Sequence, residues 1–242
     1  IDTVWFGAAA SLALMAQAAR AAGARRIVAT THGHEVGWSM LPGARQALRR
    51  IGNTADVVTY ISEYTRRRLV GAMGTHPQWV HLPSGVSLED FVPATPELKV
   101  QARAHYGLGP GPVIVCISRM VPRKGQDQLL RAMPQVRQRH PDAQLLIIGR
   151  GGYEPTLRAL AELYCPDAVM RQARDTAELR LALQAADIFA MPARTRGGGL
   201  DVEGLGIVYL EAQAAGLPVI AGDSGGAPET VTPDTGIVVR GT

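Results

Sequence analysis

The chain contains little cysteine and no long hydrophobic run. Its 242 residues include two cysteines, Cys116 and Cys165, both in apolar or helical surroundings. Two such residues do not form a disulfide framework, so we expect a reducing compartment. No stretch reaches the roughly 18 consecutive apolar residues of a membrane-spanning helix, and no secretory signal peptide heads the sequence.

Aromatic residues are also scarce, at 5% of the chain. Proteins that bind single-stranded nucleic acid usually place aromatic side chains beside a basic groove, where the bases stack on them. A sequence with so few aromatic residues offers little surface of this kind. We therefore expect no nucleic-acid partner.

The positive charge is concentrated in the first part of the chain. Residues 1–90 contain nine Lys and Arg against six Asp and Glu, whereas residues 111–242 contain fourteen of each kind. Basic clusters attract anionic lipid head groups, each cation contributing about 1 kcal/mol near the surface. The pattern predicts an anionic membrane surface as a partner, with a solvated basic helix face as the alternative. The clustered residues are Arg45, Arg49, Arg50, Arg66, Arg67 and Arg68.

Short apolar runs alternate with longer segments suited to helices, a pattern typical of parallel α/β sheets. Several runs end in Gly, Ser, Thr or Pro, and open α/β sheets bind their ligands at that end of the strands. The predicted strands are 26–31, 56–62, 79–82, 113–118, 144–149, 187–191 and 218–222, and the predicted helices are 7–22, 43–51, 63–73, 97–106, 125–139, 154–164, 176–185 and 206–215.

Two connectors rich in Pro and Gly, Phe91–Pro96 and Gly107–Pro112, divide the chain. They predict a first domain over residues 1–90, a connector over 91–110 and a second domain over 111–242. The first domain has about three predicted strands and begins in mid-pattern without an initiator Met. We interpret it as the latter part of a Rossmann-like domain, incomplete in this chain.

Two carboxylates, Glu203 and Glu211, stand eight residues apart around a turn punctuated by glycine. We expect Glu203 in a loop and Glu211 on the helix that Gly206 opens. One acid can then reach the hydroxyls of a sugar while the other reaches those of a ribose. The plainer alternative is an acidic first turn followed by a solvated Glu.

Two cations follow the predicted strand 113–118 and precede a predicted helix. Arg119 and Lys124 emerge where a parallel strand ends beside a helix N-terminus. Phosphate oxygens favour this place, because free backbone N–H groups and the helix dipole add to the side-chain charges. Arg grips two oxygens in a fork, whereas Lys acts as a point charge. The pair predicts a phosphate site, with a basic loop facing water as the alternative.

A histidine ends the predicted strand 26–31. His32 can donate or accept a hydrogen bond and can exchange a proton near neutral pH. With His34 and Glu35 it suggests a metal site, but the sequence offers no third ligand at a recognisable spacing. We therefore expect no metal, and a structural role for His34.

These patterns follow one another in a recognisable order. The R-x4-K pair precedes E-x7-E, which precedes Leu217-Pro-Val-Ile-Ala221, Gly225-Gly-Ala-Pro-Glu229 and Thr235-Gly236. The arrangement resembles the retaining glycosyltransferases of the GT-B fold, glycosyltransferase family four. The long loop Met191–Glu203 and the segments His32–Trp38 and Val121–Asp127 are most similar to the actinobacterial phosphatidylinositol mannosyltransferases that add the second mannose.

The resemblance implies a fold and a set of site residues. The fold is α/β, with two Rossmann-like domains whose parallel sheets face a cleft. In the family, the R-x4-K pair holds the nucleotide diphosphate, and a His at the position of His32 reaches the transferred sugar. The implied catalytic residues are His32, Arg119, Lys124 and Glu203, and the implied substrate-binding residues are Arg119, Lys124, Glu203, Gly204, Leu205, Gly206, Ile207, Val208 and Glu211.

The resemblance also implies an activity, the transfer of mannose with retention from GDP-mannose to a phosphatidylinositol mannoside. The partners are then a nucleotide-sugar donor, an acidic glycolipid acceptor and an anionic membrane, without a metal cofactor. The expected location is cytoplasmic, on the inner face of the plasma membrane. One departure from the family pattern is Ala173, which replaces a usual Gly beside the nucleobase. The loop Met191–Glu203 is longer than in many relatives, with two arginines and three glycines, and we expect it to be mobile and able to contact an acidic acceptor or close over the donor.

Other readings stay open from the residues alone. Another GT-B glycosyltransferase would use a different nucleotide sugar or acceptor. A GT-B sugar-nucleotide epimerase would need no lipid acceptor. A non-catalytic nucleotide-binding or nucleic-acid-binding module is the third possibility, and calorimetry with GDP, UDP and oligonucleotides separates these classes.

Overall fold

The computed structural model describes residues 1–241 and confirms an α/β fold with parallel sheets. The chain forms two compact units, each with its own sheet. The first unit comprises Ile1–Ser84 and Thr195–Leu205, and the second comprises Gly85–Arg194 and the residues from Gly206 onward. The segment Thr195–Leu205 therefore packs with a unit from which it is distant in sequence.

The sheet of the first unit has four parallel strands in the order β1-β2-β3-β4. β1 was not predicted, because of its four residues only Phe6 is buried and Trp5 is 62% exposed. The strands are β1 (Thr3–Phe6), β2 (Arg26–Thr30), β3 (Val57–Tyr60) and β4 (Gln78–His81).

The helices of the first unit bury their apolar residues and leave the arginines outside. In α3, Leu48 and Ile51 are fully buried, whereas Arg45 and its neighbours are exposed. The predicted helix 7–22 is wrong in its first half, which is a loop and a 3-10 turn over Leu12–Met15. The helices are α1 (Ala16–Ala21), α2 (Glu35–Met40), which was not predicted, α3 (Pro42–Thr54) and α4 (Glu63–Met73).

The sheet of the second unit has six parallel strands in the order β10-β9-β8-β5-β6-β7. The strand order reverses between β5 and β8, so their carboxyl ends are neighbours at the point where open α/β sheets bind ligands. The strands are β5 (Val113–Ile117), β6 (Gln144–Ile148), β7 (Val169–Arg171), β8 (Ile188–Met191), β9 (Val219–Gly222) and β10 (Gly236–Val239).

Residues 91–110 pack as part of the second unit rather than forming a free connector. Their helix is held by two ion pairs, Lys99 and Arg103 each lying 2.6 Å from a carboxylate oxygen of Asp187. Burial raises the pKa of Asp187, but hydrogen bonds from Lys99 and the Val113 N–H outweigh it and lower the pKa overall. The helices of this unit are α5 (Pro96–Tyr106), α6 (Gln126–Arg137), α7 (Glu154–Tyr164), α8 (Thr176–Ala185) and α9 (Ile207–Ala214).

Candidate functional site

The loop after β5 carries the two predicted cations of the second unit. It ends in a 3-10 turn, Pro122–Lys124, and in Gly125, whose φ is +77°. A Cβ at Gly125 would overlap the carbonyl oxygen of Pro192, so only glycine allows the loops after β5 and β8 to pack this closely. Lys124 is 8% exposed, whereas Arg119 is exposed.

The backbone beneath Arg119 is held by the first residue of α6. Gln126 is fully buried, and its Nε2 donates to Ser118 Oγ at 2.8 Å and to the Arg119 carbonyl oxygen at 2.9 Å. Within residues 1–241 the Arg119 guanidinium makes no hydrogen bond or ion pair. An exposed guanidinium on a fixed backbone is well placed to bind an anion.

A cavity of about 630 Å³ opens at the carboxyl ends of β5, β6 and β7. Its volume is in the range of small-molecule sites. Gly149, at the end of β6, approaches the Ser118 carbonyl oxygen so closely that a Cβ would overlap it. The lining residues include Arg119, Gly149, Arg150, Gln172, Ala173 and Thr176.

The N-terminus of α9 lies at the same edge of the sheet as Arg119 and Lys124. Gly206, at φ +86°, precedes the helix. The Tyr209 hydroxyl donates to the carbonyl oxygen of Met191, the last residue of β8, at 2.6 Å. Since β8 pairs directly with β5, the N-terminus of α9 and the two cations share one edge of the sheet.

Glu211 is a half-buried acid on α9. Burial raises the pKa of its carboxyl. Within the described residues no hydrogen bond or ion pair reaches the side chain. A carboxylate that is partly desolvated and unpaired can accept hydrogen bonds from the hydroxyls of a ligand.

The two arginines predicted in a basic, mobile loop behave differently. Arg194 is 14% exposed and pairs with Asp127 at 2.9 Å, so it is not available to contact a substrate. Arg196 is exposed, and its N–H donates to the Asp201 carbonyl oxygen at 2.9 Å, closing a short turn. The basic loop Met191–Glu203 therefore holds Arg194 in an ion pair and leaves Arg196 exposed.

We predict that breaking the Arg194–Asp127 pair destabilises the protein. Asp127→Asn should lower the free energy of unfolding by about 3 kcal/mol, because it removes the negative charge from an ion pair whose two side chains are 9% and 14% exposed. Urea unfolding measures the change. Asp167→Asn is the matched control, since the Asp167 carboxylate pairs with Arg137 but is 58% exposed. Equal losses in both variants would contradict the prediction.

His32 lies in the first unit, after β2, and its ring is oriented by a backbone carbonyl. The imidazole Nε2 is 2.6 Å from the Gly7 carbonyl oxygen. A carbonyl oxygen only accepts, so Nε2 carries the hydrogen in this contact. In the neutral ring Nδ1 is then an acceptor, and within residues 1–241 it has no hydrogen-bond partner.

The same unit brings Glu203, Gly204 and Leu205 next to the turn that carries His32. A Cβ at Gly33 would lie 2.8 Å from the Gly204 Cα, so this approach requires glycine at position 33. The Ser62 hydroxyl donates to the Gly204 carbonyl oxygen at 2.8 Å. Glu203 and Leu205 are buried. The remaining predicted residues lie in the second unit, where Gly206 precedes α9 and Ile207, Val208 and Glu211 belong to the helix.

Among residues 1–241 there is no group of three or more His, Cys, Asp and Glu side chains that can hold a metal ion. In the same part of the chain, every helix is too short or too polar to cross a bilayer. The prediction that no metal is required stays a prediction.

Two glycosyltransferase family models match the chain. The family model for glycosyl transferases group 1 matches residues 101–242, and the model for glycosyltransferase family 4 matches residues 1–90. The chain belongs to the group 1 glycosyl transferases. The chain carries Arg119, Lys124 and Glu211 in the second unit, and Glu203 with the His32 turn in the first.

Two similar proteins match this chain over its whole length. A GDP-mannose-dependent monoacylated alpha-(1-6)-phosphatidylinositol monomannoside mannosyltransferase of Corynebacterium glutamicum is 64% identical over 242 residues, which are 100% of this chain and 64% of that protein. The corresponding alpha-(1-6)-phosphatidylinositol monomannoside enzyme of Mycolicibacterium smegmatis is 59% identical, over 100% of this chain and 64% of its own length. The chain thus spans about 64% of the length of these curated relatives.

Solved structures of the family share the fold at low sequence identity. The crystal structure of Anabaena HepE in complex with UDP and glucose has a TM-score of 0.81 at 20% identity, covering 99% of this chain and 64% of that one. Sucrose-phosphate synthase of Thermosynechococcus elongatus has a TM-score of 0.81 at 24% identity, covering 99% and 61%. These similarities support the GT-B fold and say nothing of the substrate.

Proposed function

We propose that this chain is the nucleotide-sugar-binding part of a retaining α-mannosyltransferase that moves mannose from GDP-mannose to a phosphatidylinositol mannoside. The observation that carries the proposal is the 56–64% identity over the whole chain to proteins whose names state this donor and acceptor. The separate geometry of each unit is consistent with it.

The donor's diphosphate is assigned to the edge of the second unit's sheet. Arg119 and Lys124 supply two positive charges, and the N-terminus of α9 adds its N–H groups and its dipole. Charge on the departing diphosphate grows in the transition state, so groups fixed beforehand lower the barrier. Glu211 accepts hydrogen bonds from the ribose hydroxyls. The cavity lined by Ala173 receives the nucleobase.

The mannose is assigned to residues of the first unit. The Glu203 carboxylate accepts hydrogen bonds from mannose hydroxyls, and the His32 imidazole offers Nδ1 as a further acceptor. The three fixed positive elements of the second unit stabilise the diphosphate without a metal ion. We propose the departing phosphate as the base for the acceptor hydroxyl on the same face of the sugar.

Three of the six clustered arginines are proposed to bind the anionic membrane and the acidic acceptor. Arg45, Arg67 and Arg68 line a cavity of about 650 Å³ together with the apolar Met40 and Pro42. The Arg66 Nε donates to the Glu63 carboxylate at 2.9 Å, whereas the Arg45 guanidinium donates to the backbone carbonyl oxygens of Ser39 and Gly71. Cations beside exposed apolar side chains suit the interface of a phospholipid bilayer. The proposed location is the cytoplasmic face of the plasma membrane.

A vesicle experiment tests the membrane proposal. Reversing Arg45, Arg67 and Arg68 to Glu should lower binding to vesicles containing phosphatidylinositol by about a hundredfold at low salt, at about 1 kcal/mol for each cation. The control reverses Arg131, Arg139 and Arg240, which are exposed in the second unit. Sedimentation with vesicles measures both variants. Unchanged binding of the first variant, or equal losses in both, contradicts the proposal.

A transfer assay tests the function itself. Radiolabelled GDP-mannose is incubated with phosphatidylinositol monomannoside and with this chain, or with a protein extended to the length of the curated relatives. We expect one labelled dimannoside with an α-linkage, in equal amount with and without EDTA. No lipid product from the extended protein contradicts the proposed function. Sugar-nucleotide products formed from the donor alone would favour the epimerase, and loss of transfer in EDTA would refute independence from metal.

A further inference from the structure

The first unit contains a buried carboxylate that forms no ion pair with a Lys or Arg among residues 1–241. Glu35 is completely buried at the start of α2. Its Oε1 has no hydrogen bond in the described part of the chain and lies 3.5 Å from His34 Nε2. Burying an acid is costly unless its oxygens are used. The hydrogen bonds of this carboxylate are therefore made by its other oxygen, Oε2.

That other oxygen binds the backbone of the turn that carries His32. Glu35 Oε2 accepts from the His32 N–H at 3.0 Å and from the Gly33 N–H at 2.9 Å. Two consecutive N–H groups on one oxygen fix the orientation of both peptide planes. The His32 ring is held separately, by the Gly7 carbonyl oxygen. Backbone and ring of His32 are thus fixed by different groups.

The same turn also determines where the segment after Glu203 lies. Gly33 has a φ of +95°, which favours glycine, and its Cα packs against Gly204. A rotation of the Gly33 peptide plane would move this contact surface. The only acceptor bonded to the Gly33 N–H is Glu35 Oε2 among the hydrogen bonds of the described residues.

We propose that Glu35 is a positioning residue for mannose transfer. Its carboxylate fixes the His32–Gly33 turn. The turn presents the His32 imidazole to the sugar, and its contact with Gly204 positions the adjacent Glu203. This inference rests on the proposed function, in which His32 and Glu203 contact the mannose. Glu35 itself touches no substrate, so its effect on the reaction passes through His32 and Glu203.

The use of one oxygen predicts which substitutions are tolerated. Glu35→Gln keeps one accepting oxygen, which can occupy the place of Oε2 while the amide group takes the place of Oε1. Glu35→Ala removes the acceptor of both N–H groups. A displacement of about 1 Å at a reacting group typically costs about a hundredfold in rate. We expect a loss of kcat of this size for Glu35→Ala and less than about threefold for Glu35→Gln.

The kinetic test is made in the extended protein with a double-mutant cycle. Because part of the effect of Glu35 passes through His32, Glu35→Ala should cost less once His32 is Ala, so the two losses will not add fully. GDP affinity should stay unchanged in Glu35→Ala, because GDP lacks the sugar. Glu63→Ala is the matched control, since it removes another first-turn carboxylate of the same unit that bonds Arg66. Its transfer rate should change by less than about threefold.

A second measurement does not depend on activity. Amide hydrogen exchange, followed by NMR on this chain, should be faster at His32 and Gly33 in Glu35→Ala and close to wild type in Glu35→Gln. If the wild type transfers no mannose but these amides respond as expected, the proposed function is wrong. The role of Glu35 in fixing the His32–Gly33 turn is then still supported. Unchanged exchange in Glu35→Ala, fully additive losses with His32→Ala, or a Glu35→Gln variant as impaired as Glu35→Ala would overturn the inference.

Discussion

Replacing Lys124 with alanine is expected to lower mannose transfer by about a hundredfold to a thousandfold while the fold persists. A charge fixed at the diphosphate stabilises the transition state more than the ground state, and removing one such group typically costs this much. Lys124 is 8% exposed and sits in a turn that Gly125 and Pro192 fix, so its position is set before the donor binds. Steady-state kcat and KM for GDP-mannose, with a melting curve, measure the outcome.

The neighbouring arginine provides the control for this prediction. Arg123→Ala removes a cation from the same 3-10 turn, and the loss should be below about threefold because no role in donor binding falls to it. Arg119→Ala should resemble Lys124→Ala. Near-native turnover of the Lys124 variant, or equal losses at Arg123 and Lys124, would refute the diphosphate assignment.

Glu211→Gln is expected to weaken donor binding while making the protein more stable at neutral pH. The pKa of Glu211 is raised from its ordinary value of 4.5 by burial, so ionising the carboxyl costs free energy in the folded state. The stability that the protonated acid provides is complete below pH 4.5 and is lost as pH rises through the raised pKa. Glutamine has no such loss. Urea unfolding should therefore show a more stable variant at pH 7 and no difference near pH 4.

The cost of that substitution should appear in nucleotide affinity. A hydrogen bond to a charged group contributes about 1.5–3 kcal/mol, so GDP should bind the variant about tenfold to a hundredfold more weakly. Calorimetry with a GDP analogue that lacks the ribose hydroxyls isolates the contact. The wild type should lose affinity for this analogue, whereas the variant, which keeps only a neutral amide acceptor, should lose less. Equal discrimination by both proteins would contradict the ribose assignment.

Local signals predicted the long elements well. α4, α7 and α8 begin and end where the sequence predicts, because Ser62 and Asp175 cap two of them and Pro155 stands in the first turn of the third. β7 was missed because it has three residues, of which Met170 is buried. β10 was missed because Ile237 and Val238 are exposed, so its apolar residues do not mark a core strand.

Local sequence predicted some residues of the candidate site and missed others. Spacing after a strand was enough to single out Arg119 and Lys124, and the glycine turn singled out Glu203 and Glu211. Contacts between distant segments were not predictable, because nothing local indicates that Gly33 meets Gly204. The buried Gln126, which follows Gly125 directly, also escaped notice, since a polar residue at a helix start usually faces water.

The roles of Asp127 and Glu35 could not be predicted from local sequence either. Each is an acid in the first turn of a helix, where an acid ordinarily stabilises the dipole at the surface. Both are buried, one beside Arg194 and the other beneath His32. Their roles depend on segments brought together only by the fold.

The most direct test of the account is a crystal structure of the extended protein with GDP-mannose bound. The account predicts the diphosphate within hydrogen-bond distance of Lys124 Nζ and the Arg119 guanidinium. It predicts the ribose on Glu211 and the mannose on Glu203 and His32. A diphosphate bound away from the carboxyl end of β5, with Lys124 and Arg119 making no contact to it, would contradict the account.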